Sequence, residues 1–242
     1  MALHFLVESS TDADVGDVVS LTGAEAKHAA VVRRLRVGEV VTIGDGAGVW
    51  LDGVADEVAP QRVDVRVTRR VVQAQASPRI VLVQALAKGD RDELAVQAAC
   101  ELGVDGIIPW QASRSVSRWE GPKAAKGRER WATIVREAAK QAHRAWVPEV
   151  SAPVSTAELA DLAATRRVLL LDPTADARLT GIQPDGRDIV LVVGPEGGIS
   201  DDELSRLSDA GAERVLLGDT VLRTSTAGPA AIAVLSGLLG RW

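Results

Sequence analysis

The residues best suited to chemistry lie in the last third of the chain. Val192 to Leu204 reads VVGPEGGISDDEL, an apolar run that enters Gly194-Pro195-Glu196-Gly197-Gly198 and leaves through Ser200 and Glu203. Ser200 followed three residues on by Glu203 is a capping box, so a helix is expected from about Asp201. A glycine-rich turn between strand and helix lets backbone approach a ligand closely, at the strand ends where open α/β sheets hold ligands. The spacing is not that of a dinucleotide turn, and the lysine of a phosphate loop is missing. Asp201 and Asp202 would repel a phosphate but not a cation. A second constellation, LLGDTVLRTSTAGPAAIAVLSGL, runs from Leu216 to Leu238 and places Arg223 directly before Thr224-Ser225-Thr226, which can cap a final helix. A guanidinium fixed at such a junction can stabilise negative charge developing on a substrate. Both features also have plain structural uses, a turn and a solvated surface charge.

The elements that must position these residues follow from periodicity. After residue 78, near-continuous apolar strands over 79–86, 106–110, 167–172, 188–194 and 214–219 alternate with helical stretches, one from about Arg91 to Leu102. That alternation predicts a parallel sheet covered on both faces, an α/β fold. A helix over 128–146 would bury Trp131, Ile134, Val135, Ala138 and Ala142 and turn Arg136, Lys140, His143 and Arg144 to its other side. Residues 3–71 instead show short β-rich runs, a hairpin turn at Asp45-Gly46-Ala47-Gly48 and one helix from Gly23 to about Leu35, the pattern of a small barrel or sandwich. The expected division is a domain over 1–72, a linker over 73–78 ending at Pro78, and a domain over 79–242.

Composition removes other function classes. With 46% hydrophobic and 25% charged residues in 242, the chain reads as an ordinary two-domain globular protein. No apolar run reaches the roughly 20 residues of a membrane span. The start MALHFLVESSTDAD has no basic residues and no long apolar stretch, so no signal peptide and a cytoplasmic location are expected. Cys100, the single cysteine, excludes an internal disulfide and is expected buried on a helix face. His4, His28 and His143 lie far apart with no paired ligand spacing, so no metal is expected. The net charge of −5 hides a segregation, because Arg114 to Arg144 holds nine basic residues and three acidic ones. Such a patch steers phosphates whatever the chain average.

Taken together, GPEGG before a capped helix and LG-x-x-VLRT-x-TA at 217–227 resemble the C-terminal signature of the SPOUT class of RNA methyltransferases, and more closely the RsmE family, which makes 3-methyluridine in 16S ribosomal RNA. The likeness extends along the chain. It includes His28, Val32, Arg34, Gly38 and Asp45-Gly46, then Lys88, Glu93, Gln97, Glu101 to Val104, Pro109 and Arg114-Ser115. It continues through Arg130-Trp131, Glu137-Ala138, Gln141, Arg144, Val147-Pro148 and Leu171-Asp172-Pro173. Two positions depart from the family pattern: Ser225 stands where a glutamate is usual, and Arg33 where a leucine is usual. An essential catalytic role for that glutamate is thereby put in doubt here.

The resemblance implies a PUA-like β-barrel that helps hold RNA, followed by an α/β domain with a deep trefoil knot, in a homodimer without metal. It implies S-adenosylmethionine among three loops: Leu171 and Asp172; Val193, Gly194, Pro195, Gly197 and Gly198; and Leu217, Gly218, Val221 and Leu222. Arg223 would stabilise the ionised uridine base, with Glu196 as a weaker candidate for base or ribose contact. The 16S RNA, free or in the small subunit, would meet His28, Arg34, Lys88, Arg114, Arg136, Lys140 and Arg144. The rival readings are a SPOUT enzyme acting on another RNA, a non-catalytic RNA-binding or assembly factor, and a nucleotide-dependent enzyme, the last disfavoured by the missing phosphate-loop lysine.

Overall fold

The computed structural model describes residues 2–7 and 12–242. The chain forms two compact units, one made of the residues up to Gln75 together with Ala139–Val147, the other of Ala76–Ala138 and Pro148–Trp242.

The first unit is a five-stranded sheet built from β1 (Leu3–Leu6), β2 (Val18–Thr22), β3 (Val40–Gly44), β4 (Val49–Ala59) and β5 (Arg62–Val72), in the order β1-β3-β4-β5-β2. Buried and half-buried residues alternate strictly along β4 from Val49 to Ala55, which is the two-residue period of a strand with one face on a core. Phe5, Leu21, Ile43, Leu51, Val63 and Val65 fill that core. The β4–β5 register shifts at Asp52/Gly53 and again at Ala55/Glu57, and such bulges bend and twist a sheet. The expected hairpin is present: the Asp45 carboxylate accepts from the Ala47 and Val49 N–H groups at 2.7 and 3.0 Å.

The expected helix from Gly23 to about Leu35 is shorter. α1 covers Gly23–Lys27, and the chain then widens into a π-turn over His28–Val32, with the Arg33 N–H donating to His28 O at 2.8 Å. Arg34 then takes a left-handed φ of 55°, which ends the helical path and lets Leu35 turn into the core.

The second unit carries an all-parallel sheet. In chain order it contains β6 (Ile80–Ala85), α2 (Arg91–Glu101), β7 (Gly106–Trp110), α3 (Pro122–Gln141, of which Ala139 onward is grouped with the first unit), β8 (Glu149–Val150), α4 (Thr156–Asp161), β9 (Arg167–Leu171), β10 (Ile189–Val193), α5 (Asp201–Asp209), β11 (Glu213–Val215) and α6 (Thr224–Leu238). The sheet order is β11-β9-β10-β6-β7-β8. Every residue of β6, β7 and β10 is buried, as a sheet covered on both faces requires. Val81, Val83, Val190 and Val192 face α4 and α5, where Leu159 and Leu207 pack. The alternate residues face α6, which lies beside α2. Gly228 of α6 permits that approach, since a Cβ there would stand 3.1 Å from Leu82 and 3.4 Å from Val193.

Helix α3 begins at Pro122 rather than 128 and stops at Gln141 rather than 146. Proline suits a first helical position because its missing N–H has no partner to lose there. At the other end His143 takes φ 54° and the Arg144 N–H turns back to Ala139 O at 2.9 Å. Trp131, Val135 and Ala138 are buried as expected, and Cys100 is buried on α2.

His4 gives the first unit a pH dependence. It is 5% exposed, stacks on Trp50 at 4.3 Å between ring centres, and bonds through Nδ1 to Thr42 Oγ1 at 2.9 Å. Burial, helped by the nearby His143 and Lys140 charges, pushes its pKa down to about 4, against the Thr42 hydrogen bond. The unfolded chain therefore binds a proton that the folded one refuses, so stability is complete above about 6.5 and declines as pH falls from there toward 4. His4→Gln should flatten that limb of a denaturation-against-pH curve, whose drop from this group is at most about 3 kcal/mol. An unchanged curve would contradict the assignment.

Candidate functional site

Because the strands are parallel, β9, β10 and β11 all release their chains at one edge of the sheet. The segments leaving them, after Leu171, Val193 and Val215, enclose a cavity of about 580 Å3. Its walls include Leu171 to Thr174, Val193 to Glu196, Gly198, Leu216 to Gly218 and Thr220 to Thr224, with Arg91 and Arg114 at its border. The structure thus brings together Leu171, Asp172, Val193, Gly194, Pro195, Gly198, Leu217, Gly218, Val221 and Leu222, and with them Glu196 and Arg223. Gly197 is different: a Cβ on it would meet Arg114 at 3.4 Å, and the residue is not part of the cavity wall.

Each wall is held by a named polar contact. Asp172, 7% exposed, accepts from the Thr174 N–H and hydroxyl at 2.9 and 2.8 Å and from Arg214 Nε at 2.6 Å. Burial opposes its charge, but the Thr174 and Arg214 bonds outweigh that and keep the carboxyl below its ordinary range. Glu196 accepts from the Lys88 N–H and from Arg91 Nη1, both at 3.1 Å. Burial again opposes, yet the backbone N–H groups of Glu196 and Lys88 and the Arg91 guanidinium hold this carboxyl low as well. A carboxylate so held is a poor proton acceptor, and its geometry fastens the glycine loop to the start of α2.

Glu203 does more than close its capping box. The box exists and α5 starts at Asp201, as the sequence implies. The same carboxylate also accepts from the Ser113 N–H at 2.8 Å, the Ser113 hydroxyl at 2.7 Å and the Thr156 hydroxyl at 2.9 Å. Burial works against the charge, but the bonds from Ser113, Thr156 and Ser200 prevail and keep its pKa below the usual value. Arg114, an expected RNA contact, follows directly; it is exposed and donates to the carbonyl oxygens of Gly197 and Ile199 at 3.1 and 3.4 Å, which ties it to the glycine loop.

Arg223 stands apart from these paired groups. It is the exposed N-cap residue of α6, makes no side-chain cap, and its guanidinium has no partner among the described residues. The run Thr224-Ser225-Thr226, expected to cap the helix, instead forms its first turn, and the Thr226 and Ala227 N–H groups both donate to Arg223 O. Pro229 has no N–H to offer the Ser225 carbonyl one turn back.

The expected RNA contacts fall in both units. His28 and Arg34 belong to the first, with Arg34 exposed; Lys88 and Arg136 belong to the second, with Lys88 exposed. Lys140 has a side chain only 12% exposed, pairs with both oxygens of Glu25 at 2.8 Å and lies 5.8 Å from the Phe5 ring centre. Arg144 lies in the segment grouped with the first unit. Sequence reasoning missed Arg91, Gln84, Ser113 and Thr156, whose partners lie far along the chain and leave no local pattern. Among the described residues no cluster of metal-binding side chains exists and no helix is long and apolar enough to cross a membrane.

A parallel sheet with a ligand cavity at its carboxyl edge, joined to a small β-unit, defines a class that the family models name. Residues 75–236 match the RNA methyltransferase domain and residues 21–54 the RNA methyltransferase PUA domain. Ribosomal RNA small subunit methyltransferase E of Mycobacterium bovis is 42% identical over 100% of this chain and 94% of its own length. The crystal structure of the methyltransferase E from Neisseria gonorrhoeae bound to S-adenosyl methionine superposes with a TM-score of 0.88 at 30% identity, over 98% of both chains. A Legionella pneumophila methyltransferase solved with bound cofactor SAM gives 0.86 at 30% identity, again over 98% of both. The chain belongs to the ribosomal RNA small subunit methyltransferase E family.

Glu203 makes the site's frame acid-sensitive. Its depressed folded pKa means that its stabilisation is present above the ordinary glutamate value of about 4.3 and is lost as pH falls through the lower folded value. Glu203→Leu should cost roughly 1–3 kcal/mol at neutral pH, because it removes the shared acceptor of the part-buried bonds from Ser113 and Thr156, and should weaken the acid limb of the unfolding curve. Wild-type thermal stability in that variant at pH 7 would refute the bracing role.

Proposed function

We propose that this chain transfers the methyl group of S-adenosylmethionine to N3 of a specific uridine in 16S ribosomal RNA. Its family membership makes it an S-adenosylmethionine-dependent ribosomal RNA methyltransferase; the ring nitrogen and the roles of individual residues are our reading. The observation that carries it is the cavity of main chain and apolar side chains, with the Arg223 guanidinium, unpaired among the described residues, in its lining.

The cavity suits this cofactor. About 580 Å3 falls within the roughly 300–1,000 Å3 of small-molecule sites. Leu171, Val193, Leu217, Val221 and Leu222 offer apolar surface to a flat purine, and the main chain at Gly194, Pro195 and Gly198 offers polar atoms to its edge. Gly218 lines the cavity with open space where a Cβ would stand. The bound cofactor supplies a methyl group activated by a sulfonium cation, and the carboxylates of Glu196 and Asp201 at the wall tolerate that charge.

The protein's own task is to present the uridine. N3 becomes nucleophilic when its proton passes to solvent, and the negative charge then spreads to the exocyclic oxygens of the base. Arg223, without a side-chain partner among the described residues, would stabilise that charge without reorganisation, and the loop walls would orient the base toward the activated methyl group. Glu196 braces the loop through Arg91 and Lys88 instead of taking the proton.

RNA is held by His28, Arg34, Lys88, Arg136 and Arg144, with Arg114 and Lys140 acting inside their units. The family resemblance supports a knot formed where residues 172–182 meet 216–223, a region in which Leu216 N–H donates to Ala177 O and Leu179 N–H to Leu216 O. It supports a homodimer as well, consistent with Val221 being 82% exposed beside the cavity, and a cytoplasmic enzyme acting on the small subunit or its RNA.

Two measurements check this reading. Gly218→Val should weaken S-adenosylmethionine binding at least about thirtyfold by calorimetry in a folded protein, since roughly 2 kcal/mol of contact is lost; unchanged affinity would remove the cofactor from this cavity. Arg223→Ala should slow single-turnover methyl transfer at least about a hundredfold at saturating cofactor, whereas Ser225→Ala should cost less than about tenfold. A dead Ser225→Ala beside an active Arg223→Ala would reverse the roles.

A further inference from the structure

Gln84 is the one polar side chain in β6, and it is fully buried between apolar neighbours. It lies in register with Val193, the last residue of β10, on the sheet face toward α6. Its Nε2 donates to Thr224 Oγ1 at 2.9 Å and to Ala85 O at 3.2 Å, and its Oε1 has no partner among the described residues. The Thr224 hydroxyl, occupied as an acceptor, donates its single hydrogen to Gly194 O at 2.9 Å. An apolar residue at position 84 would leave no buried oxygen unsatisfied, so packing alone does not account for glutamine there.

The relay joins two walls of the cavity. Gly194 begins the loop after β10, and Thr224 follows Arg223 at the start of α6. One turn on from Thr224, Gly228 seats the same face of α6 directly on Leu82 and Val193. A Cβ on Gly194 itself would stand 2.8 Å from Ile199, so that loop end is fixed in place as well.

We infer that the Gln84–Thr224–Gly194 relay is a positioning device for methyl transfer, setting Arg223 and the glycine loop at one mutual geometry. Gln84 and Thr224 are positioning residues, and the inference rests on the cofactor site proposed above. The relay has a direction, amide to hydroxyl to carbonyl, so only a side chain that both accepts and donates serves at position 224. Serine meets that requirement; valine matches threonine in shape but does not.

The test uses the full chain with Thr224→Val, Thr224→Ser and Gln84→Met. Thr224→Val should weaken S-adenosylmethionine binding about tenfold, slow single-turnover transfer about tenfold at saturating cofactor, and leave the KM for RNA unchanged. Thr224→Ser should restore both within about threefold. Gln84→Met added to Thr224→Val should cost little more than Thr224→Val alone, as members of one network behave. In the free protein, hydrogen exchange at residues 194–198 and 224–227 should quicken in Thr224→Val and not in Thr224→Ser, with exchange in β6 and β10 unaltered. Wild-type cofactor affinity and loop exchange in Thr224→Val would overturn the inference, as would a Thr224→Ser protein no better than valine. Should the wild type fail to bind S-adenosylmethionine, the cofactor reading falls, and loop exchange in the free variants still decides whether the relay couples the two walls.

Discussion

The site depends on one constraint, a parallel sheet buried on both faces. Parallel strands need long crossovers, and every crossover leaves from the same edge, so three segments far apart in sequence arrive side by side after β9, β10 and β11. A buried edge of this kind leaves main-chain polar groups without sheet partners. Here a few fixed side chains meet them: Asp172 accepts from the Thr174 N–H, Glu196 from the Lys88 N–H and Glu203 from the Ser113 N–H, and Thr224 donates to the Gly194 carbonyl. The cavity is the space those contacts hold open.

This division of labour explains why most charged residues near the cavity are architecture. Asp172, Glu196 and Glu203 all carry carboxyls held below their ordinary range by hydrogen bonds that overcome burial, which makes them firm anchors and poor proton shuttles. Arg91 and Arg114 are engaged with the glycine loop. Arg223 is exposed and unpaired among the described residues, ready to meet a charge that arises only during reaction.

Much of this was legible from local pattern. The β7 span, the start of α5 at Asp201 and its capping box follow from apolar runs and one Ser–Glu pair. The start of α3 was not legible, because PKAAKGRER shows no apolar period; within it Gly127 lies flush against the Trp119 ring, a contact that no local pattern announces. The π-turn after α1 depends on seating Ala29 and Leu35 in one core, which no single stretch of sequence encodes. The same limit governs the site. Arg114 and Lys140 look like free cations in a basic segment, yet their partners lie 83 and 115 positions away. Gln84 and Thr224 are 140 positions apart, and an isolated glutamine in an apolar strand carries no sign of its partner.

The central claim is methyl transfer to a uridine ring nitrogen of the small-subunit RNA, and mass-spectrometric mapping of 16S RNA tests it most directly. RNA from a strain lacking this gene should have lost one 3-methyluridine, and purified protein with S-adenosylmethionine should restore that methyl group on small subunits or their RNA. Full methylation of that RNA in the deleted strain, or a restored methyl group on a ribose or another base, would contradict the account.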